Sequence, residues 1–176
     1  MDDMFETEHL IIRRFKIEDT QDLYRHHREE AVRKWIPNES YADMEEARDA
    51  IAFFIDCVNR KALPFVLAVV HKETGEWIGD AGINAVEGNA KEVEIGYVIA
   101  RQHRGKGYAT ELLGAMMKFA ASTFGIHVLY GRVLRGNHGS VKVLEKNGFV
   151  LVAEEQGAKD DPYGRGILVY RADTAL

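Results

Sequence analysis

Cysteine, proline and tryptophan are scarce in this chain: among its 176 residues stand 1 Cys, 3 Pro and 2 Trp. The lone Cys57 excludes an internal disulfide framework and a thiolate zinc cluster, and points to a reducing compartment. Few prolines beside 46% hydrophobic and 10% aromatic residues exclude a disordered, collagen-like or low-complexity chain. Positive charge is also in deficit, 23 Lys and Arg against 28 Asp and Glu, for a formal net charge of -5. That sign disfavours gripping a nucleic-acid backbone or an anionic membrane and suits a cationic small substrate or peptide, so neither nucleic acid nor membrane is an expected partner. No apolar run has the length to span a bilayer, and the opening Met1-Asp2-Asp3-Met4 is acidic where an export leader is basic. The cytoplasm is the expected compartment. What is there is enough chain for one domain with a substantial core, residues 1–176.

Hydrophobic periodicity orders that domain. His9-Leu10-Ile11-Ile12-Arg13-Arg14-Phe15 reads as a strand that leads, through Glu18-Asp19, into a helix. A second helix follows Pro37: Asp43 with Glu46 resembles a capping box, and Met44, Ala47, Ile51, Phe54 and Val58 recur at helical spacing before an end near Asn59. Residues 65–70 and 77–83 form a hairpin around Glu73-Thr74-Gly75-Glu76, and residues 92–99 add a third strand after a turn at Gly88-Asn89, an antiparallel meander. From Tyr108, the residues Leu112, Leu113, Met116 and Ala120 mark one face of a long helix. Residues 127–133 read as a strand, 140–147 as a short helix, and 149–153 and 166–170 as closing strands. This order predicts an α+β fold with a mixed, largely antiparallel central sheet of about seven strands flanked by about four helices.

The segment richest in chemistry is Gln102-His103-Arg104-Gly105-Lys106-Gly107-Tyr108-Ala109, between an apolar strand and an amphipathic helix. Glycines there let the backbone turn sharply and bring its N–H groups close to a ligand. Those groups sit at a helix N-terminus, where free donors and the macrodipole favour an anion such as phosphate. The competing reading is a simple turn with a solvated basic face. A nucleoside-triphosphate P-loop does not fit, because the lysine lies between the glycines. A dinucleotide fingerprint does not fit either, because Thr110 stands where its third glycine belongs.

Gln102-x-x-Gly105-x-Gly107 resembles the pyrophosphate-binding motif of the GCN5-related N-acetyltransferase (GNAT) superfamily, which holds acetyl-coenzyme A. The downstream segment Asn137-His138-Gly139-Ser140, continuing to Asn147-Gly148-Phe149, is similar to that family's later motif. With Glu94-Ile95-Gly96-Tyr97, this Asn-x-x-Ser version is most similar to the ribosomal-protein N-terminal acetyltransferase branch, RimJ/RimL-like. The resemblance implies the GNAT fold and a set of roles. Backbone groups of Tyr97, Val98 and Ile99 would run beside the pantetheine arm, and a Val98 or Ile99 amide would polarise the thioester carbonyl. Amides of His103, Arg104, Gly105, Lys106, Gly107, Tyr108 and Ala109 would cradle the pyrophosphate, with Arg104 or Lys106 near the phosphates. Asn137 would hydrogen-bond the pantetheine or the pocket wall.

Such a reaction needs neither metal nor covalent enzyme intermediate: a neutral amine attacks the thioester directly, helped by proximity and proton handling. At pH 7 freeing an α-amine of its proton costs about 1 kcal/mol, a lysine amine about 4.6 kcal/mol, so an α-amine manages with a weak base. Glu94, on the strand beside the cofactor, is the candidate base; its competing reading is a solvent-facing or ion-paired carboxylate. Where many family members carry a leaving-group tyrosine, this chain has Leu144, so Ser140 is the candidate proton donor, with Tyr97 and Tyr108 as substitutes and helix capping as its competing reading. The expected acceptor is a primary amine, foremost the N-terminal α-amine of a protein or peptide. The alternatives are a small amine, such as a polyamine, amino-acid analogue or aminoglycoside, and a non-catalytic acyl-CoA-binding module.

The remaining suspicious residues carry less. The 7 histidines are scattered, without recurring ligand spacing, so no metal is expected. Cys57 reads as a small buried hydrophobe. Trp35, Ile36, Pro37 and Tyr41 fall in a stretch that in this family shapes the acceptor pocket, or else they are core packing. Asp43, Glu45, Glu46 and Asp49 draw in a cation or form a solvated helix face. The sequence permits a homodimer without specifying one.

Overall fold

A computed structural model describes residues 3–174; the first two residues of the acidic opening lie outside them. Eight strands form one sheet: β1 (Asp3–Glu6), β2 (Leu10–Arg13), β3 (Phe65–His71), β4 (Trp77–Val86), β5 (Asn89–Ile99), β6 (Val128–Leu134), β7 (Val150–Glu155) and β8 (Ile167–Asp173). Their spatial order is β1-β2-β3-β4-β5-β6-β8-β7. The helices are α1 (Thr20–His27), α2 (Glu30–Trp35), α3 (Met44–Asn59), α4 (Tyr108–Phe124) and α5 (His138–Lys146). Neighbouring strands run antiparallel except β5 and β6, which are parallel because α4 carries the chain back over the sheet between them.

The expected meander is β3-β4-β5. The Asp43 signal also holds: Asp43 accepts from the Glu46 N–H at 2.9 Å and caps α3, while the Glu46 carboxylate reaches back to the Ala42 N–H. The buried residues of α3 are Ala47, Ile51, Cys57 and Val58, so Cys57 lies in the apolar interior. The expected α+β fold with its mixed, largely antiparallel sheet holds, and among the described residues it has eight strands and five α-helices against the about seven and about four expected. The extra strand, β1, is a short edge strand carrying acids at both ends, with no hydrophobic alternation to betray it. The extra helix arises because the single helix expected after Glu18-Asp19 breaks at Arg28-Glu29, where Glu29 takes an extended ψ of 135° with no Gly or Pro to mark the bend.

The two larger apolar clusters cover the two faces of the sheet, and a smaller one gathers Leu134, Ile167 and Val169. Leu112, Leu113, Met116 and Ala120 of α4 pack with Ile83, Val93, Ile95 and Leu129 on one side. Phe15, Leu23, Ile51, Ala68 and Trp77 pack on the other, under α1 and α3. Among the described residues no helix is long and apolar enough to cross a membrane, and no group of three or more His, Cys, Asp or Glu could hold a metal.

Candidate active site

The parallel pair β5–β6 is short. Register runs only through Glu92↔Val128, Val93↔Leu129 and Glu94↔Tyr130. Beyond Glu94 the strands part: β5 keeps pairing with β4 up to Ile99↔Gly79, and β6 keeps pairing with β8 up to Leu134↔Ile167. One edge of β5 is therefore left without a strand, and a cleft of about 1110 Å³ opens beside it. Tyr97, Val98 and Ile99 line this cleft, on the segment where the sequence puts the pantetheine contacts.

At one end lies the glycine loop. Gly105 and Gly107 have φ of 74° and 84°, values that residues bearing a Cβ rarely adopt, and open space surrounds the position of a Cβ at each. Gly107 is the N-cap of α4 and offers no side-chain acceptor. Amides 105–110 consequently have no acceptor among the described residues, the condition that makes a helix N-terminus an anion site. Arg104 lines the cleft, its Nε donating to the Ile99 carbonyl at 2.8 Å. Lys106 is exposed and lies outside the cleft lining, so of the two cations Arg104 is the nearer. His103 and Ala109 also line it; the His103 ring stands 3.3 Å from the Glu76 carboxylate. Tyr108 lines the cleft too, its hydroxyl 3.0 Å from His71 Nε2.

In the middle of the cleft, Ser140 Oγ lies 3.0 Å from the Tyr97 hydroxyl. Burial pushes Tyr97 up to about 12, and the Ser140 contact draws it the other way. Ser140 does not cap α5; Asn137 does, its Oδ1 accepting from the Ser140 N–H at 3.3 Å. That leaves the Asn137 amide NH₂ for the pocket. Leu144 is fully buried beneath, where its side chain packs against Gly131.

The far end is acidic. Strand alternation puts Glu94, Gly96 and Val98 on one face of β5, level with Asn84, Gly82 and Asp80 of β4. Glu94 is half-buried, and its carboxylate is 3.8 Å from Arg132, which also holds Asp160 at 3.1 Å. Burial raises Glu94 above the usual carboxylate range; Arg132 pulls it down, while Asp160 and Glu155 push it up. Trp35, Ile36, Pro37 and Tyr41 all reach the cleft, as does Glu46, whereas Asp43, Glu45 and Asp49 do not. Two residues here were missed by sequence reading. Asp80 is the only charged residue of β4, and its Oδ2 lies 2.7 Å from His27 Nε2. A lone acid inside an apolar strand was the available signal for Asp80; nothing local pointed to His27 as its partner.

A mixed sheet opened between two parallel strands, with an uncapped helix N-terminus at one end of the opening, is the fold class of the GNAT acetyltransferases. The sequence agrees: residues 9–150 match the family described as "Acetyltransferase (GNAT) domain", and the chain belongs to that family of N-acetyltransferases. It is 29% identical over 167 residues to the uncharacterized N-acetyltransferase p20 of Bacillus licheniformis, covering 93% of this chain and 91% of that one. Ribosomal-protein-S5-alanine acetyltransferase from Vibrio fischeri has the same fold, with a TM-score of 0.83 at 20% identity over 96% of this chain and 95% of that one. So does spermidine N-acetyltransferase from Vibrio cholerae in complex with CoA and spermine, with a TM-score of 0.81 at 16% identity over 95% and 96%.

Proposed function

We propose that the chain transfers an acetyl group from acetyl-CoA to the N-terminal α-amine of a protein or peptide. The observation that carries the acceptor is Glu94, a half-buried carboxylate on the cleft face of β5 whose proton affinity is raised by burial. A carboxylate so placed is a weak base, enough for an α-amine, which needs about 1 kcal/mol at pH 7, and poorly matched to a lysine amine, which needs about 4.6 kcal/mol.

The cleft suits a long donor with a charged end. Free amides of residues 105–110 and the Arg104 guanidinium would take the pyrophosphate, and the bare edge of β5 at Tyr97, Val98 and Ile99 would take the amide groups of the pantetheine arm. Acetyl-CoA supplies the activated thioester. Glu94, through water, would take the N–H proton that the neutral amine sheds as it attacks. The Tyr97–Ser140 pair would return one to the leaving sulfur, and a Val98 or Ile99 amide would hold the carbonyl oxygen.

A small polyamine is the second reading, favoured by the carboxylates of Glu46, Asp80 and Glu94 along the acceptor end. Mass spectrometry of products from acetyl-CoA with N-terminal peptides and with polyamines separates the two. Acetylated peptide is the expected result. Product only with polyamines overturns the peptide reading, and tight acetyl-CoA binding without product from any amine would make the chain a binding module.

A further inference from the structure

Asp80 is 7% exposed, yet it lines the cleft and stands directly across the ladder from Val98. Beside it the same face carries Gly82, whose bare position is filled by the Val66 side chain, and Gly96, where a Cβ would meet nothing within 4 Å, so the open space on this face lies toward β5. Its Oδ2 lies 2.7 Å from His27 Nε2, and His27 Nδ1 lies 2.7 Å from the Glu39 carbonyl oxygen. A carbonyl oxygen can only accept, so Nδ1 carries a proton; a carboxylate at Nε2 calls for a second. His27 is thus an imidazolium clamped between the loop after α2 and the middle of the sheet. Asp80 Oδ1 has no hydrogen-bond partner among the described residues and remains open to the cleft.

We propose that Asp80 receives the attacking amine, its free Oδ1 accepting the amine N–H beside Val98 and stabilising the positive charge that grows on nitrogen, while His27 fixes the carboxylate in position. This rests on the acetyltransfer reading above and adds a residue to it. The amine lone pair forms the C–N bond, the C–S bond breaks with its electron pair going to sulfur, and one N–H proton leaves toward Glu94 and water. Asp80 accepts a hydrogen bond from the amine and is not that proton's destination. Its contribution is a fixed negative charge where positive charge develops, on a carboxylate that is itself buried. The other titratable groups facing the pair are His26 on α1, Glu39 and Tyr41 in the loop, Glu46 on α3 and Glu94 on β5.

Two amines serve as probes, alaninamide and 1,4-diaminobutane, with N-acetylalaninamide as the control that lacks a free amine. Imidazole NMR signals of His27 are followed in the protein with CoA present, and steady-state kinetics with acetyl-CoA accompany them. At least one amine, and not the control, should shift the His27 signals in wild type and fail to do so in Asp80→Asn. The same variant should lower kcat for an accepted amine by tenfold or more with the KM for acetyl-CoA within twofold. His27→Gln should raise the amine KM more than it lowers kcat, because the carboxylate remains but swings free. Thermal denaturation shows whether each variant is folded. If Asp80→Asn is not, Asp80→Glu stands in, and it should restore part of the amine response. An amine response at His27 without any acetylated product would sink the transfer reading and leave Asp80 as the amine site. No response to either amine, or an equal one in Asp80→Asn, overturns the proposal whatever the turnover.

Discussion

The Tyr97 hydroxyl lies 3.0 Å from Ser140 Oγ and 3.3 Å from the Ser140 carbonyl oxygen, joining β5 to the first turn of α5 across the cleft. The tyrosyl O–H donates either to that carbonyl, with the serine hydroxyl donating to the tyrosyl oxygen, or to Ser140 Oγ, which frees the serine proton for the cleft. Tyr97→Phe should lower kcat by roughly 100-fold, the lower end of general acid catalysis. Ser140→Ala should cost less, about tenfold, because Tyr97 keeps its place on the strand. Steady-state kinetics with acetyl-CoA varied should show its KM little changed in both; loss confined to that KM would make the pair a binding feature.

Gly107 serves both as a turn residue with φ of 84° and as the side-chain-free cap of α4. Gly107→Val should strain the loop and screen the amides, and CoA affinity by calorimetry should fall at least about 100-fold. Gly105→Ala adds a single methyl group into open space and should fall less, because only the backbone strain applies.

Glu94 predicts a pH signature. The amine and Glu94 must both be deprotonated for attack, so log kcat/KM against pH should climb with a slope near two at its acid end. Raised by burial, Glu94 titrates above an ordinary carboxylate, which widens that region upward. Glu94→Gln should lower turnover by about 100-fold and reduce the slope to one. An unchanged profile in the variant would move the base elsewhere.

The His27–Asp80 pair predicts a stability window. Burial lowers His27, but the charge and hydrogen bond of Asp80 outweigh it and raise it from 6.5 to about 9. The folded state then holds the proton more tightly than the unfolded chain. The stabilisation is complete below pH 6.5, declines as pH rises and is lost beyond about 9. Removing one partner of such a buried pair costs roughly 3 kcal/mol. Urea midpoints should therefore show His27→Gln well below wild type at pH 6 and approaching it at high pH.

Much of this was legible because it is local. The α3 cap needs only Asp43 and Glu46 three residues apart, the face of α4 needs only helical spacing, and the tight turn before α4 needs only two glycines between a strand and a helix. The break between α1 and α2 was not legible, since Arg28 and Glu29 are ordinary helix residues. Likewise, nothing local distinguishes Arg104, which lines the cleft, from Lys106, which does not.

The sequence by itself determined the acetyltransferase class, since both of its motifs are short runs whose backbone conformation depends on glycines and caps within a few residues. Only the tertiary structure decided which side chains meet. Tyr97 and Ser140 stand 43 residues apart, and His27 and Asp80 stand 53 apart. Each pair is brought together by strand register and by the packing of helices over the sheet, which no local pattern encodes. Burial then settles their chemistry: a histidine and an aspartate that would be unremarkable in water become, side by side away from it, a locked ion pair facing the cleft.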